Sequence, residues 1–181
     1  MRHKVFVSYH HEYDQGYKNR LIRDFSDDFD GMVDKSVGDG DINPLLKTDT
    51  IRAKIRDEFL RDSTVTIILI GSETWKRKHV DWEIGGSIRD TMYNPRSGLV
   101  GLILPSHPAY NTAIDIEYYK HRIPPRLYNN YEKGYAKIYD WTDSHFQLQE
   151  YIHEAFLNRT KIIPDNSFTS FVDNRSGLGW Q

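Results

Sequence analysis

Residues 64–70, TVTIILI, constrain the fold of this chain more than any other stretch. The run is β-branched and apolar on both alternating faces, so a strand formed here must be covered on each side, as in the centre of a parallel sheet flanked by helices. GLVGLIL at 98–104 is a second run of the same kind.

The rest of the chain alternates around these two runs. Val5-Phe6-Val7 reads as a strand, and after the polar break Ser8 to Gln15, Tyr17, Leu21, Ile22, Phe25 and Phe29 recur at helical spacing. A short extended segment near Phe29 to Val33 precedes the turn-rich DKSVGDGDINP. Ile51, Ile55 and Phe59 then mark a second helix, with Thr48 or Asp49 as its expected N-cap. KHVDWEIGGSIRD at 78–90 predicts a third helix whose buried stripe is Val80, Ile84, Ile88 and Met92. YAKIYD at 135–140 is a weaker strand, and Leu148, Ile152, Ala155 and Phe156 mark a closing helix. This order predicts an α/β, three-layer architecture: an open parallel sheet of about five strands with helices on both faces.

At 181 residues and 38% hydrophobic, the chain suits one core better than two. Residues 105–133 carry four prolines and five tyrosines and predict an embellished loop, or a short helix with a lid. Beyond Asn158 the chain keeps Phe168, Phe171 and Trp180, so part of this tail is expected to dock on the domain or on a partner.

Composition removes several chemistries. The absence of cysteine excludes disulfides, a thiolate nucleophile and cysteine-ligated zinc. A formal charge of −2 with both signs interspersed offers no basic footprint for nucleic acid. No run approaches the ~20 apolar residues of a membrane span, and MRHKVFVSY has no apolar signal segment, which predicts no membrane association and a cytoplasmic location. DGDINP at 39–44 starts like a calcium loop, but Pro44 stands at the turn glycine and Thr50 at the bidentate glutamate. Neither glycine-rich phosphate motif occurs, and the central strand ends ILIGS with no acidic phosphoryl acceptor. His10 and His11 adjoin without a third ligand at metal spacing, so no metal is expected.

In open parallel sheets, ligands sit beyond the carboxyl ends of the strands. That rule gathers Ser8 to Asp14, Gly71 to Lys78 and the loop from Pro105. Glu83 lies on the helix leaving the middle loop, on the flank of the apolar stripe beside Gly86 and Ser87. A half-buried carboxylate with free space beside it suits a sugar-binding acid. The alternative is a solvated first-turn glutamate, favoured by the helix dipole, with Gly85-Gly86 serving only close packing.

KVFVSY, TVTIILIGSETW and HVDWEIGGSI together resemble the first strand, central strand and catalytic helix of TIR domains, specifically the bacterial TIR-like branch that includes the ThsB proteins of Thoeris anti-phage defence. The resemblance covers roughly residues 3 to 140 and implies a flavodoxin-like TIR domain over 1–158, followed by the aromatic-containing tail 159–181. Its most specific part is a strand ending IGS, an aromatic three residues after Ser72, and a Glu-Ile pair eleven residues after it. The resemblance implies that Glu83 is catalytic in cleaving NAD+, a substrate rather than a cofactor. Two departures stand out: His79-Val80 replaces the Trp-Cys that starts this helix in many TIR domains, and VGDGDINPLL replaces the adaptor-type loop after strand two.

Breaking the nicotinamide–ribose bond builds positive charge on the sugar, which a carboxylate can stabilise. Diphosphate donors are expected from backbone N–H groups at a helix start and from Ser8, His10 or His11. Ser72 and His79 are expected at the pocket wall. Tyr9, Trp75 or Trp82 could stack on a base, and each equally suits the core. The residues 105–133 are expected as a water-excluding lid. The resemblance implies a cyclic ADP-ribose isomer as product, read by a separate effector protein, and leaves room for a homo-oligomer. Two alternatives stay open: a non-enzymatic TIR-like scaffold acting by protein contact, and a nucleoside N-ribosyl hydrolase or transferase.

Overall fold

A computed structural model describes residues 2–33, 37–38, 40–43, 45–113 and 115–180. Among them the elements are β1 Lys4–Ser8, α1 Gln15–Phe25, β2 Gly31–Val33, α2 Thr48–Lys54, β3 Val65–Ile70, α3 Lys78–Ser87, β4 Gly98–Ile103, α4 Pro125–Glu132, β5 Ala136–Asp140 and α5 His145–Lys161. A π-helical stretch, Ile55–Phe59, continues α2, and a 3-10 helix, Ile116–Arg122, precedes α4.

The strands form one sheet in the order β2-β1-β3-β4-β5, every pairing parallel. This is the α/β, flavodoxin-like arrangement expected from TVTIILI and GLVGLIL, and both runs are buried along their full lengths. The two faces of β3 divide its side chains. Val65, Ile67 and Leu69 pack with Leu21 and Phe25 of α1 and with Leu148, Ile152 and Ala155 of α5. Ile68 and Ile70 pack on the other face with Val80 and Ile84 of α3 and Leu127 of α4. A smaller cluster, including Phe6, Ile51, Ile55, Phe59 and Trp82, joins α2 to α3. Gly98 lets α5 lie directly on the start of β4, because a Cβ there would stand 1.9 Å from the Ala155 carbonyl oxygen.

Several local expectations need correction. The residue at the N-cap of α2 is Lys47, with no side-chain cap; Thr48 opens the helix, and Asp49 is drawn into a 2.8 Å ion pair with Arg89. Phe29 lies beyond α1, which ends at Phe25 in a 3-10 turn, although it joins the same core. Met92 is 90% exposed rather than part of the α3 stripe. The helix stops at Ser87 because its carbonyl accepts from Ser97 N at 2.7 Å, turning the chain into β4. Ile123, Leu127 and Tyr128, from the segment expected as a lid, are instead core residues packed with Val80 and Ile84.

The residues after α5 return across α3 and α4. Arg126 Nη2 donates to Phe168 O at 2.8 Å, Trp82 Nε1 donates to Phe171 O at 2.8 Å, and Trp180 Nε1 donates to Ile123 O at 2.6 Å. No helix among the described residues is long and apolar enough to cross a membrane.

Candidate active site

The strand order reverses direction at β1, so the crevice between the carboxyl ends of β1 and β3 is the topological switch point. Ser8 ends β1 there and is in register with Ile68 of β3. α3 delivers Glu83 to the same point. The whole stretch Val80–Ser87 is buried, with Trp82 packed against α2 and Gly86 letting the continuation of α2 approach closely. A Cβ on Gly86 would meet Ile55 Cγ2 at 2.7 Å, so Ile55 occupies the room that glycine leaves. The Ser87 hydroxyl is likewise engaged, 2.7 Å from Thr66 Oγ1.

Glu83 is therefore neither solvated nor half-buried with free space beside it: its exposure is 0%. Ser8 Oγ donates to its Oε2 at 2.6 Å, and the Val37 backbone N–H donates to its Oε1 at 2.9 Å. Burial pushes the carboxyl up from 4.5 to about 8, against the lowering effect of these two hydrogen bonds. Among the described residues no cation contributes to that balance. Near neutral pH the closed site holds Glu83 as a neutral acid.

Next to the sealed carboxyl lies a cleft of about 330 Å³, lined by Gly38, Gly40, Ile42, Lys78, His79, Trp82 and Asn174. His79 sits one helical turn before Glu83, with Nε2 3.3 Å from Tyr9 O and its ring centroid 4.5 Å from that of His11. Burial, reinforced by His11, lowers the His79 pKa to about 4, so this wall is uncharged. Trp82 presents its ring to the cleft while its indole N–H is held by Phe171 O.

The other residues expected at the site divide by environment. Tyr9 is in the core on the α1 side, its hydroxyl donating to Gln15 Oε1 at 2.7 Å. Trp75 is 2% exposed and lines none of this cleft. His10 is buried and stacks on Tyr13; its Nδ1 accepts from Glu12 N and Tyr13 N at 3.2 and 3.3 Å, which shapes the loop instead of offering a donor to a diphosphate. Ser8, also expected as a diphosphate donor, spends its hydroxyl on Glu83. Ser72 is partly exposed in the loop after β3, away from the lining of the cleft. Among the described residues the backbone that closes on Glu83 is at Val37, and no hydrogen bond to Glu83 comes from the segment 105–133.

Residue-pattern reasoning placed Asp14 and Lys78 only as the ends of strand-end loops, without singling them out, and missed Val37 and Asn174 at the site. Asp14 is buried where β1 and β3 open, accepts from Thr74 Oγ1 at 3.1 Å, and is raised in pKa by burial. The signal for it was Gly71, since a Cβ there would lie 2.4 Å from Asp14 Oδ1. Asn174 had no local signal at all.

An all-parallel, doubly wound sheet with a buried acid at its switch point defines the chain as a flavodoxin-like α/β domain with a strand-end site. A family model described as the TIR-like domain of the Thoeris protein ThsB matches residues 6–108, which include β1, β3, α3, Ser8 and Glu83. The chain belongs to this ThsB TIR-like family of Thoeris anti-phage defence. No curated protein matches it.

Proposed function

We propose that this protein is an NAD+-cleaving TIR enzyme whose product is a cyclic ADP-ribose isomer used as an immune signal. The observation that carries the reading is Glu83: a carboxyl wholly buried at the switch point, held by the Ser8 hydroxyl, with no cationic partner among the described residues, beside a cleft of about 330 Å³. A structural carboxylate is normally paired when buried, because an isolated buried charge is costly. An acid held unpaired and raised to about 8 is a common mark of a functional site.

In the reaction, the bond between the ribose C1′ and the nicotinamide nitrogen breaks and its electron pair leaves with neutral nicotinamide. The cation left on the ribose is captured by a nucleophilic atom of the ADP half, giving a cyclic isomer, or by water, giving ADP-ribose; the nucleophile's proton is released. Glu83 acts as the ionised carboxylate that accepts from the ribose hydroxyls and stabilises the cation. It must first be uncovered. Displacement of Val37 admits water and substrate, lowers the desolvation that keeps Glu83 protonated, and ionises it. The nucleotide product is read by a separate effector, and the enzyme works in the cytoplasm, where NAD+ is available, with assembly into homo-oligomers as one route to displacing Val37.

One observation favours the scaffold reading instead: with 0% exposure, Glu83 meets no ligand in the closed arrangement. Mass spectrometry of small molecules from cells expressing the wild type or Glu83→Gln, with and without phage challenge, separates the two. NAD+ should fall and an ADP-ribose isomer appear only with Glu83 intact. Equal metabolite levels in both strains under challenge, with the protein folded and abundant, would leave the scaffold reading in place.

A further inference from the structure

Arg52, on α2, is a cation packed under the C-terminal tail with only 9% of its surface exposed. Its Nη2 donates to Ser170 Oγ at 3.1 Å and, at 3.4 Å, to Phe168 O. Nε is buried without an acceptor, and Nη1 makes no hydrogen bond among the described residues. Nε lies against Gly85, where a Cβ would stand 3.2 Å from it and 3.4 Å from Arg126 Nε, so two guanidinium groups meet over one turn of α3. The carboxylates that act on Arg52 are committed elsewhere: Asp81 pairs with Arg126 at 2.9 Å and accepts from Phe171 N at 3.0 Å, and Asp49 pairs with Arg89 at 2.8 Å. Burial, reinforced by Arg126, lowers the Arg52 pKa. A buried charge is costly unless an opposite charge and hydrogen bonds meet it. Among the described residues, no carboxylate pairs with this one.

Arg52 opens on a cavity of about 400 Å³ between the start of α2 and tail residues 166–170. The lining supplies donors. Thr48 stands four residues before Arg52, on the same face of α2, and neither its hydroxyl nor that of Thr169 has a hydrogen-bond partner among the described residues. Ser170 Oγ accepts from Arg52 and, at 3.4 Å, from Arg126 Nη2, which leaves its own hydrogen for a further acceptor. Asn166 and Ser167 are spent, the first on Gly85 O and Arg126, the second on Asp165. Three hydroxyl hydrogens and the N–H groups of Arg52 Nη1 thus border one cavity around an unpaired positive charge. A phosphoryl group has the matching chemistry, a negative charge spread over three acceptor oxygens. The volume lies within the range of small-molecule sites and exceeds what a bare phosphate fills.

We propose that this cavity is a second ligand site, which takes the phosphoryl group of a phosphorylated small molecule, with Arg52 as its ion-pair partner and Thr48, Thr169 and Ser170 as its hydroxyl donors. The site shares no lining residue with the cleft beside Glu83 and does not depend on the NAD+ reading. Its occupant ties α2 to the tail, because the donors come from both.

The test is thermal melting of the full chain in rising inorganic phosphate, against sodium chloride at equal ionic strength, for wild type, Arg52→Gln and Thr169→Asp. Phosphate also stabilises folded chains by exclusion from their surface, and the variants report that background. An anion held by the native state raises Tm with a saturable dependence on its concentration. The half-saturating phosphate concentration should rise about tenfold or more in each variant, because one removes the charge that meets the anion and the other sets a carboxylate against it. Thr169 is exposed, so its variant keeps the fold and decides the matter if Arg52→Gln does not fold. Competition between ADP-ribose and phosphate in the wild type would support a nucleotide as the occupant; a phosphate response lost in the variants, with no such competition, would support a smaller phosphorylated ligand. No rise in Tm beyond that in chloride, or a folded variant that responds to phosphate like the wild type, overturns the proposal and leaves the NAD+ reading intact.

Discussion

Glu83→Gln should stabilise the protein, and by an amount that grows with pH. Burial moves the Glu83 carboxyl from 4.5 to about 8. A carboxyl with a higher pKa in the folded state than in the unfolded state makes folding take up a proton between those two values, so stability falls as pH rises from about 4.5 to about 8. At pH 7 the unfolded chain ionises the group almost completely and the folded chain hardly at all, which costs about 3 kcal/mol; at pH 5 the same linkage costs less than about 1 kcal/mol. The glutamine amide of the variant can accept from Val37 N and donate to Ser8 Oγ, so neither partner is orphaned. For a chain of this size, about 3 kcal/mol corresponds to a rise in Tm of roughly 6–12 °C. Denaturant unfolding of both proteins at pH 5, 6, 7 and 8 reads the difference directly. Parallel stability curves, or a variant less stable than wild type at pH 8, would show that the carboxyl is not buried and neutral in the resting protein. Confirmation would place Glu83 among residues retained at a cost in stability, as expected where function and stability compete.

Ser8→Ala removes one of the two groups that lower the Glu83 pKa. Its stability should go on falling past pH 8, where that of wild type levels off, while the two fall in parallel between pH 6 and 7, as a pH series of unfolding curves would show. Gly98→Ala forces a Cβ into the Ala155 carbonyl and should cost about 3 kcal/mol or more, seen as a large drop in Tm, because the contact is backbone and cannot be relieved by a rotamer change. Asp81→Ala leaves Arg126 as a buried unpaired cation and removes the acceptor of Phe171 N, for a loss of about 3–5 kcal/mol. Arg126→Met with Asp81→Leu should recover much of that loss while still releasing the tail, which limited proteolysis around residues 165–175 would detect.

The periodicities of TVTIILI and GLVGLIL were sufficient for the layers and for the parallel sheet, since a strand apolar on both faces has only one kind of environment available to it. Spacing also put Glu83 on the helix after the central strand, and the IGS and Glu-Ile combination carried the family. Other details escaped for local reasons. Met92 continues an i, i+4 series that nothing in the residues interrupts, yet the helix ends earlier because Ser97 captures the Ser87 carbonyl. The small side chains around Glu83 suggested empty space, where α2 brings Ile55 to fill it.

What the sequence alone determined, then, is what repeats along the chain: strand and helix periods, the apolar faces, and the position of one carboxylate relative to a strand end. What only the tertiary structure decided is how distant segments meet. Val37 seals Glu83 from 46 residues away, and Asn174 caps Lys78 from 96 residues away. Neither contact leaves a trace in local pattern, because a hydrogen bond from a backbone N–H to a single side-chain oxygen demands proximity and direction but no periodic residue type. The protonation of Glu83 belongs to the same category. A glutamate on a helix has an ordinary pKa until the surrounding layers remove its water, and that desolvation is a property of the packed molecule.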